Sequence, residues 1–368
     1  MNILILTGRF GMGHYSAAQA LRLQLKRAFP RAEVEVEDFF AYALPDGAET
    51  LYKCFDLLVS RGSGLYNLYY QAMGHIPFRA RPPMEELFQD KLLELLEERR
   101  PDVAIATHPL CARLVSDYKE EVGADLPLIT CITDLTSHAE WLAPATDCYL
   151  VGAPEIGARL REKGVPEDKI LVTGIPVKPE FRERADRRQG RRPGAPRRLL
   201  IMGGGLGLLP RQDRFYEALD SLPGVETTLL TGNNRKVYER LCGRYPHIHV
   251  VGFTDHVYDY MAAADLMLSK PGGVTLFETI FSGLPILAWE PTLQQERNNA
   301  RFLLESGVGA LAPRDPEGCL RAVRDLIYDS AALDRMRAEM GRLRAQLQFR
   351  AVEQILPALA AHSGGVCA

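Results

Sequence analysis

His14 follows two glycines in the opening stretch "ILILTGRFGMGHYSAAQAL". A glycine-rich turn after a first strand normally offers backbone N–H groups to an anion, and an anion needs no imidazole beside it. An imidazole, with an ordinary pKa of about 6.5, is suited to taking a proton from a hydroxyl near neutral pH. Asp134, at the expected end of a strand in "CITDLTSHAEW", is the rival base or the group that orients His14. The plain alternative for His14 is a residue at a helix start with no chemistry. A dinucleotide fingerprint is a third reading, with Gly11 and Gly13 as its first glycines and Glu37 or Asp38 as the ribose-binding acid. Ser16 in place of the third glycine and the long gap to the acid weaken it.

Three loops in the second half carry a different set of groups. "IMGGGLGLLP" places Gly203, Gly204, Gly205 and Gly207 between a strand and a helix, a geometry that suits phosphate or merely tight packing. "DLMLSKPGGVTLFET" places Pro271, Gly272 and Gly273 before a helix whose first turn is expected to carry Glu278. Thr275 and Glu278 match a capping box, while Glu278 alone could accept both hydroxyls of a ribose. "WEPTLQQERNNARFL" holds Gln294, Gln295, Glu296, Asn298 and Asn299, which reads either as a hydrophilic helix entry or as a match for a sugar's alternating donors and acceptors. In chain order the three offer sites for a diphosphate, a ribose and a hexose, which together describe a nucleotide-sugar.

These loops need strands to hold them. "NILILT", "AEVEVEDFF", "DVAIATH", "LPLITCITD", "DCYLVGA" and "KILVTG" are short apolar runs separated by helical patterns. The alternation restarts with "RRLLIMGGG", "VETTLLTGN", "IHVVGFT", "DLMLSK", "LPILAWE" and "VGALAP". Strands alternating with helices predict α/β domains with parallel sheets, whose ligands bind beyond the C-terminal strand ends. We therefore expect two Rossmann-like doubly wound domains facing across a cleft. Residues 1–180 form the first, an Arg/Gly/Pro-rich linker spans 181–197, and residues 198–345 form the second. Residues 346–368 are expected to form a helix and tail that pack back on the first domain.

The chain of 368 residues has a net charge of −3, which argues against nucleic acid as a partner. Its 7 cysteines are scattered without metal-ligand spacing, several of them in apolar runs, which suits a reducing cytoplasm. No secretory leader or membrane span is expected. In "SRGSGLYNLYYQAMGHIPFRARPP", however, Tyr66, Tyr69 and Tyr70 are interleaved with Arg79 and Arg81, which suits either an ordinary core helix or the headgroup layer of an anionic membrane.

The stretch "VVGFTDHVYDYMAAADLMLSKPGGVTLFETIFSGLPILAWEP" with "QERNNARFLLESGVG" resembles the family-28 glycosyltransferases. It is most similar to their diacylglycerol glucosyltransferase and monogalactosyldiacylglycerol synthase branch, and more distantly to the peptidoglycan GlcNAc transferase. "GMGHYSAAQAL" resembles their G-x-G-H-x-x-A-A motif, and "TDLTSHAEWL" and "TGIPVKPEF" resemble the lipid-glycosylating members. The resemblance implies a GT-B fold with the donor in the C-terminal domain. It implies that Glu278 binds the ribose, Gln295 and Glu296 the hexose and Phe253 the uracil, that Gly204, Gly205 and Gly207 approach the diphosphate, and that Gly272, Gly273 and Thr275 also belong to the donor site. Gly11, Gly13, His138 and Trp141 fall on the acceptor side, and the segment with Tyr66, Tyr69, Tyr70, Arg79 and Arg81 reaches the membrane.

The implied reaction is inverting and metal-independent, since no D-x-D motif is placed for a metal. UDP-glucose or UDP-galactose donates, diacylglycerol or a related lipid accepts, and no cofactor is needed. Such an enzyme would work from the cytoplasm on the inner face of the cell membrane. Transfer to a polyprenyl-linked or small hydrophobic acceptor, a nucleotide-sugar epimerase, and a silent UDP-sugar sensor are the alternatives. The glycine loop departs from many relatives in lacking a polar residue for phosphate.

Overall fold

The computed structural model describes residues 1–61, 85–185, 194–204 and 209–362. Within it the chain forms two compact units, one of Met1–Lys178 with Leu347–Ala368 and one of Pro179–Gln346.

Unit 1 holds β1 (Asn2–Thr7), β2 (Glu33–Asp38), β3 (Val103–Ala106), β4 (Leu128–Cys131), β5 (Cys148–Val151) and β6 (Ile170–Val172). They form one parallel sheet in the order β2-β1-β3-β4-β5-β6. Because side chains alternate across a strand, β1 feeds two cores at once. Leu4 and Leu6 pack with Phe39, Phe40 and Leu114 on one face, and Ile3 and Ile5 pack with Leu21, Leu25 and Val352 on the other. The C-terminal helix Ala351–His362 completes that second face, with Val352 and Leu356 fully buried in it. Gln24 fixes its start by donating to the Phe349 carbonyl and to Glu353 Oε1, both at 2.9 Å. Cys111, Cys131 and Cys148 lie in these cores, and burial pushes the Cys148 thiol up to about 12.

Unit 2 repeats the scheme with β7 (Arg197–Met202), β8 (Val225–Leu230), β9 (Ile248–Val251), β10 (Leu266–Ser269), β11 (Ile286–Trp289) and β12 (Gly309–Ala312). Their order is β12-β11-β10-β7-β8-β9. In each sheet the chain runs outward in one direction from its first strand, then returns to that strand's other side. The reversal lies between β1 and β3 in unit 1 and between β7 and β10 in unit 2. Loops leaving the two strands at such a point diverge and open a crevice beyond their C-terminal ends.

The linker expected over 181–197 is narrower than its composition suggests. Helix Glu180–Ala185 occupies its start and packs within unit 2, with Phe181 only 2% exposed. Arg182 lies 5.5 Å over the Phe281 ring and Arg184 Nε is 2.8 Å from Asp259 Oδ1. One buried aromatic, worth about 1.5–3 kcal/mol, suffices to dock a short helix whose other residues stay charged. Tyr66, Tyr69, Tyr70, Arg79 and Arg81 lie outside the described residues. Among the described residues no helix is long and apolar enough to cross a membrane.

Candidate functional site

At the reversal point of unit 1, β1 ends at Thr7 and the chain turns through Gly8–Gly11 into helix Met12–Ala28. Two glycines are demanded here for different reasons. A Cβ on Gly8 would stand 2.6 Å from Phe40 Cε2 and 3.2 Å from Phe10 Cδ2. Gly11, the N-cap, has φ +61°, a backbone that side chains rarely adopt. Arg9 between them is clamped, its Nε donating at 2.6 Å to Asp38 Oδ2, while Tyr52 Oη donates at 2.5 Å to Asp38 Oδ1. Burial and that bond push the Tyr52 phenol well above its ordinary value. These contacts remove the dinucleotide reading. Asp38 is committed to the loop, and Glu37 faces Arg99 Nη2 at 3.5 Å.

His14 is the third residue of its helix and half-buried. Its Nδ1 lies 2.8 Å from the Thr107 carbonyl oxygen and 2.7 Å from Thr133 Oγ1. Thr107 follows β3, where its N–H donates to the Leu6 carbonyl at 3.0 Å and its hydroxyl to Thr7 Oγ1 at 2.8 Å. Thr133 follows β4 and is 3% exposed. The His108 ring meets His14 edge-on at 4.9 Å. His108 caps helix Pro109–Val122, its Nδ1 accepting from the Leu110 N–H at 3.2 Å. Burial, with the neighbouring His14 adding to it, holds the His108 imidazole well below the ordinary histidine value. None of Thr107, His108 and Thr133 was singled out from the sequence. Their shared signal is position immediately after apolar strands of a parallel sheet, where ligand loops gather.

The other acceptor-side candidates separate. Gly13 is exposed beside His14. Trp141 is 0% exposed, with its ring 6.0 Å from that of His14, so it backs the imidazole rather than facing solvent. Its indole N–H has no hydrogen-bond partner among the described residues. His138 Nδ1 lies 3.3 Å from Glu140 Oε1. Asp134 does not end a strand. β4 stops at Cys131, and Asp134 sits in the following loop, 8% exposed, next to the Thr133 that touches His14.

At the reversal point of unit 2 the loops after β7 and β10 come together. Ser269 Oγ donates to the Met202 carbonyl at 2.9 Å, and a Cβ on Gly204 would meet Lys270 Cε at 3.6 Å. Gly204 has φ +72°, again a backbone suited to glycine. Gly205 and Gly207 lie outside the described residues. Lys270, unremarked in the sequence, places its Nζ 3.2 Å from Glu296 Oε1, in the first turn of helix Gln294–Glu305. Gln295 belongs to the same turn. A lysine between a glycine loop and a helix N-terminus supplies a full positive charge where the backbone supplies partial ones.

The capping box expected at Thr275 and Glu278 does not form. Gly272 is the N-cap and the helix begins at Gly273, so Thr275 is already inside it and Glu278 lies in its second turn. Both are half-buried while Val274, Leu276 and Phe277 are buried, so the two polar residues share the face turned from the core. Phe253 follows β9 and is 63% exposed, its ring available to a planar ligand.

Comparison with known proteins accounts for both units. Residues 14–177 match the family described as Monogalactosyldiacylglycerol (MGDG) synthase, and residues 199–341 match the Glycosyltransferase family 28 C-terminal domain. The chain belongs to the family 28 glycosyltransferases. This family 28 glycosyltransferase is 27% identical over 351 residues to a processive diacylglycerol beta-glucosyltransferase of Bacillus licheniformis, covering 93% of this chain and 91% of the relative. The protein of that name from Bacillus subtilis (strain 168) is 28% identical over 345 residues, covering 91% and 89%. Among solved structures, the transferase is similar to Acinetobacter baumannii MurG with a TM-score of 0.64 at 17% identity, over 98% of this chain and 99% of that one. Its fold is GT-B. A Neisseria meningitidis UDP-GlcNAc 2-epimerase shares the fold with a TM-score of 0.59 at 14% identity.

Proposed function

We propose that the protein transfers a hexose from a UDP-sugar to diacylglycerol, with inversion and without a metal ion. Unit 2 holds the donor and unit 1 supplies the base. The observation that carries this is the equipment of the two reversal points. One presents a fixed imidazole, and the other presents Gly204, Lys270 and two helix N-termini to an anion. The processive diacylglycerol beta-glucosyltransferases that resemble the chain along nearly its full length support the choice of acceptor and of UDP-sugar class.

In the step proposed, a glycerol hydroxyl oxygen attacks the anomeric carbon, and the bond from that carbon to the diphosphate breaks. UDP leaves with the electron pair, and the hydroxyl proton passes to His14. Glu278 would take the ribose hydroxyls, Gln295 and Glu296 the hexose, Phe253 the uracil ring, and Lys270 would meet the charge gathering on the diphosphate. Attack from the face opposite the leaving UDP turns an α-linked donor into a β-linked glycolipid. We place the enzyme peripherally on the anionic inner face of the membrane, with Tyr66, Tyr69, Tyr70, Arg79 and Arg81 in the headgroup layer.

UDP release is the test, measured from UDP-glucose and UDP-galactose, each with and without diacylglycerol in anionic vesicles, followed by the mass of the extracted lipid. Release that depends on diacylglycerol, with a lipid heavier by one or more hexoses, is the expected result. Sugar turnover without any acceptor would favour the epimerase alternative, and no turnover with either donor would remove diacylglycerol hexosylation. His14→Ala is expected to slow transfer by about 10²–10⁴-fold while leaving UDP binding intact.

A further inference from the structure

His14 Nδ1 has two oxygen atoms within hydrogen-bond distance, and they are not equivalent. The Thr107 oxygen at 2.8 Å is a carbonyl, which can only accept, while Thr133 Oγ1 at 2.7 Å can donate or accept. A lone pair on Nδ1 would face the lone pairs of the carbonyl. A proton on Nδ1 satisfies the carbonyl and can be shared with the hydroxyl oxygen. The carbonyl has little freedom to turn away, because Thr107, with no exposed surface, is anchored before it by its N–H bond to Leu6 and its hydroxyl bond to Thr7, and His108 after it caps a helix.

Rotation of the imidazole by half a turn would put a carbon against both oxygens. The rings of His108 at 4.9 Å and Trp141 at 6.0 Å also confine it. His108 offers no competing acceptor through Nδ1, which is already occupied by the Leu110 N–H at 3.2 Å.

We propose that the Thr107 carbonyl and the Thr133 hydroxyl lock His14 in the tautomer protonated on Nδ1, so that Nε2 is the atom that receives the acceptor's proton. Thr133 is then a positioning residue, acting on the reaction only through His14. This assignment rests on His14 being the base. Which ring nitrogen of a histidine is basic is set by the hydrogen bond the other one makes. Here a backbone carbonyl fills that place, with a hydroxyl as its second member.

The experiment uses the full chain labelled with ¹⁵N at histidine, with the His14 resonances identified by their absence in His14→Gln. At a pH where His14 is neutral, the expected wild-type spectrum has a protonated Nδ1 and an unprotonated Nε2. Thr133→Val, which keeps the shape and removes the hydroxyl, is expected to populate the other tautomer or broaden the signals. Its kcat should fall about tenfold with KM for UDP-glucose unchanged, and Thr133→Ser should restore kcat. A wild-type His14 protonated on Nε2 would overturn the proposal whatever the variants do. So would a Thr133→Val enzyme with unchanged tautomer and unchanged kcat. If His14→Gln kept full transfer, His14 would not be the base, a separate failure that leaves the wild-type spectrum to decide the tautomer.

Discussion

Replacing Asp38 by alanine should destabilise unit 1 by an amount its contacts allow to be worked out. The carboxylate, 8% exposed, accepts from Tyr52 Oη at 2.5 Å, from Arg9 Nε at 2.6 Å and, at the head of helix Phe39–Ala43, from the Ala41 N–H at 3.4 Å. The phenol bond is buried and its acceptor charged, worth about 1.5–3 kcal/mol, and its loss strands a hydroxyl on a residue only 8% exposed. The Arg9 side chain is 43% exposed, so solvent screens its ion pair and about 0.5–1 kcal/mol is the fair figure. At 3.4 Å the cap adds about 0.5 kcal/mol, the low end for such bonds. About 2.5–4.5 kcal/mol in all should lower the melting temperature of unit 1 by roughly 5–18 °C. Differential scanning calorimetry of Asp38→Ala, Asp38→Asn, Tyr52→Phe and Arg9→Ala apportions the loss. The order expected is Asp38→Ala largest, then Tyr52→Phe, then Arg9→Ala, with Asp38→Asn below Asp38→Ala because it can still accept from Tyr52. The same clamp holds the loop that launches the His14 helix, so kcat should fall more than donor KM changes. Asp38→Ala melting within 2 °C of wild type, a shift of about 1 kcal/mol or less, would refute the clamp.

The remaining expectations concern pH, charge, packing and metal. Burial holds native His108 neutral where the unfolded chain, with its imidazole near 6.5, takes up a proton. Stability is therefore full above about pH 6.5 and lost below it by up to about 1.4 kcal/mol per pH unit. His108→Asn retains a cap acceptor, and denaturant titrations at neutral and mildly acidic pH should find a shallower acid loss than in wild type. Lys270→Met should weaken UDP-glucose binding about tenfold by calorimetric titration, as expected for removal of a charge-assisted bond to phosphate, with Lys270→Arg weakened less; equal affinity in all three forms would exclude a diphosphate contact. Gly8→Ala drives a methyl to 2.6 Å from the Phe40 ring and should cost about 1–3 kcal/mol in chemical denaturation, against nothing if the loop simply shifts. Transfer is expected to continue undiminished in excess EDTA, and abolition reversed by a divalent cation would contradict metal independence.

The sequence alone determined the strands of both sheets. Runs such as "NILILT", "DVAIATH" and "LPILAWE" are apolar through their centres because parallel strands are buried on both faces, and each contains a strand in its place. It also exposed the Gly8–His14 stretch, where a close approach to Phe40 at Gly8 and a positive φ at Gly11 leave glycine little alternative in the loop. Composition misjudged the start of the linker, because one buried Phe181 outweighs its charged neighbours in docking a short helix. The match of Thr275 and Glu278 to a capping box could not survive a helix that begins three residues earlier than that box requires, at Gly273. Tertiary structure alone decided what touches His14. Thr107 and Thr133 are remote from it in the chain, and the motif that Thr133 opens does not say what that residue touches, yet a parallel sheet brings the ends of β1, β3 and β4 side by side. The pairing of Lys270 with Glu296 arises in the same way, since the loop after β10 and the helix after β11 leave neighbouring strands at the same edge. Local pattern fixes which residues become strands, whereas strand order, a property of the whole chain, fixes which strand ends become neighbours.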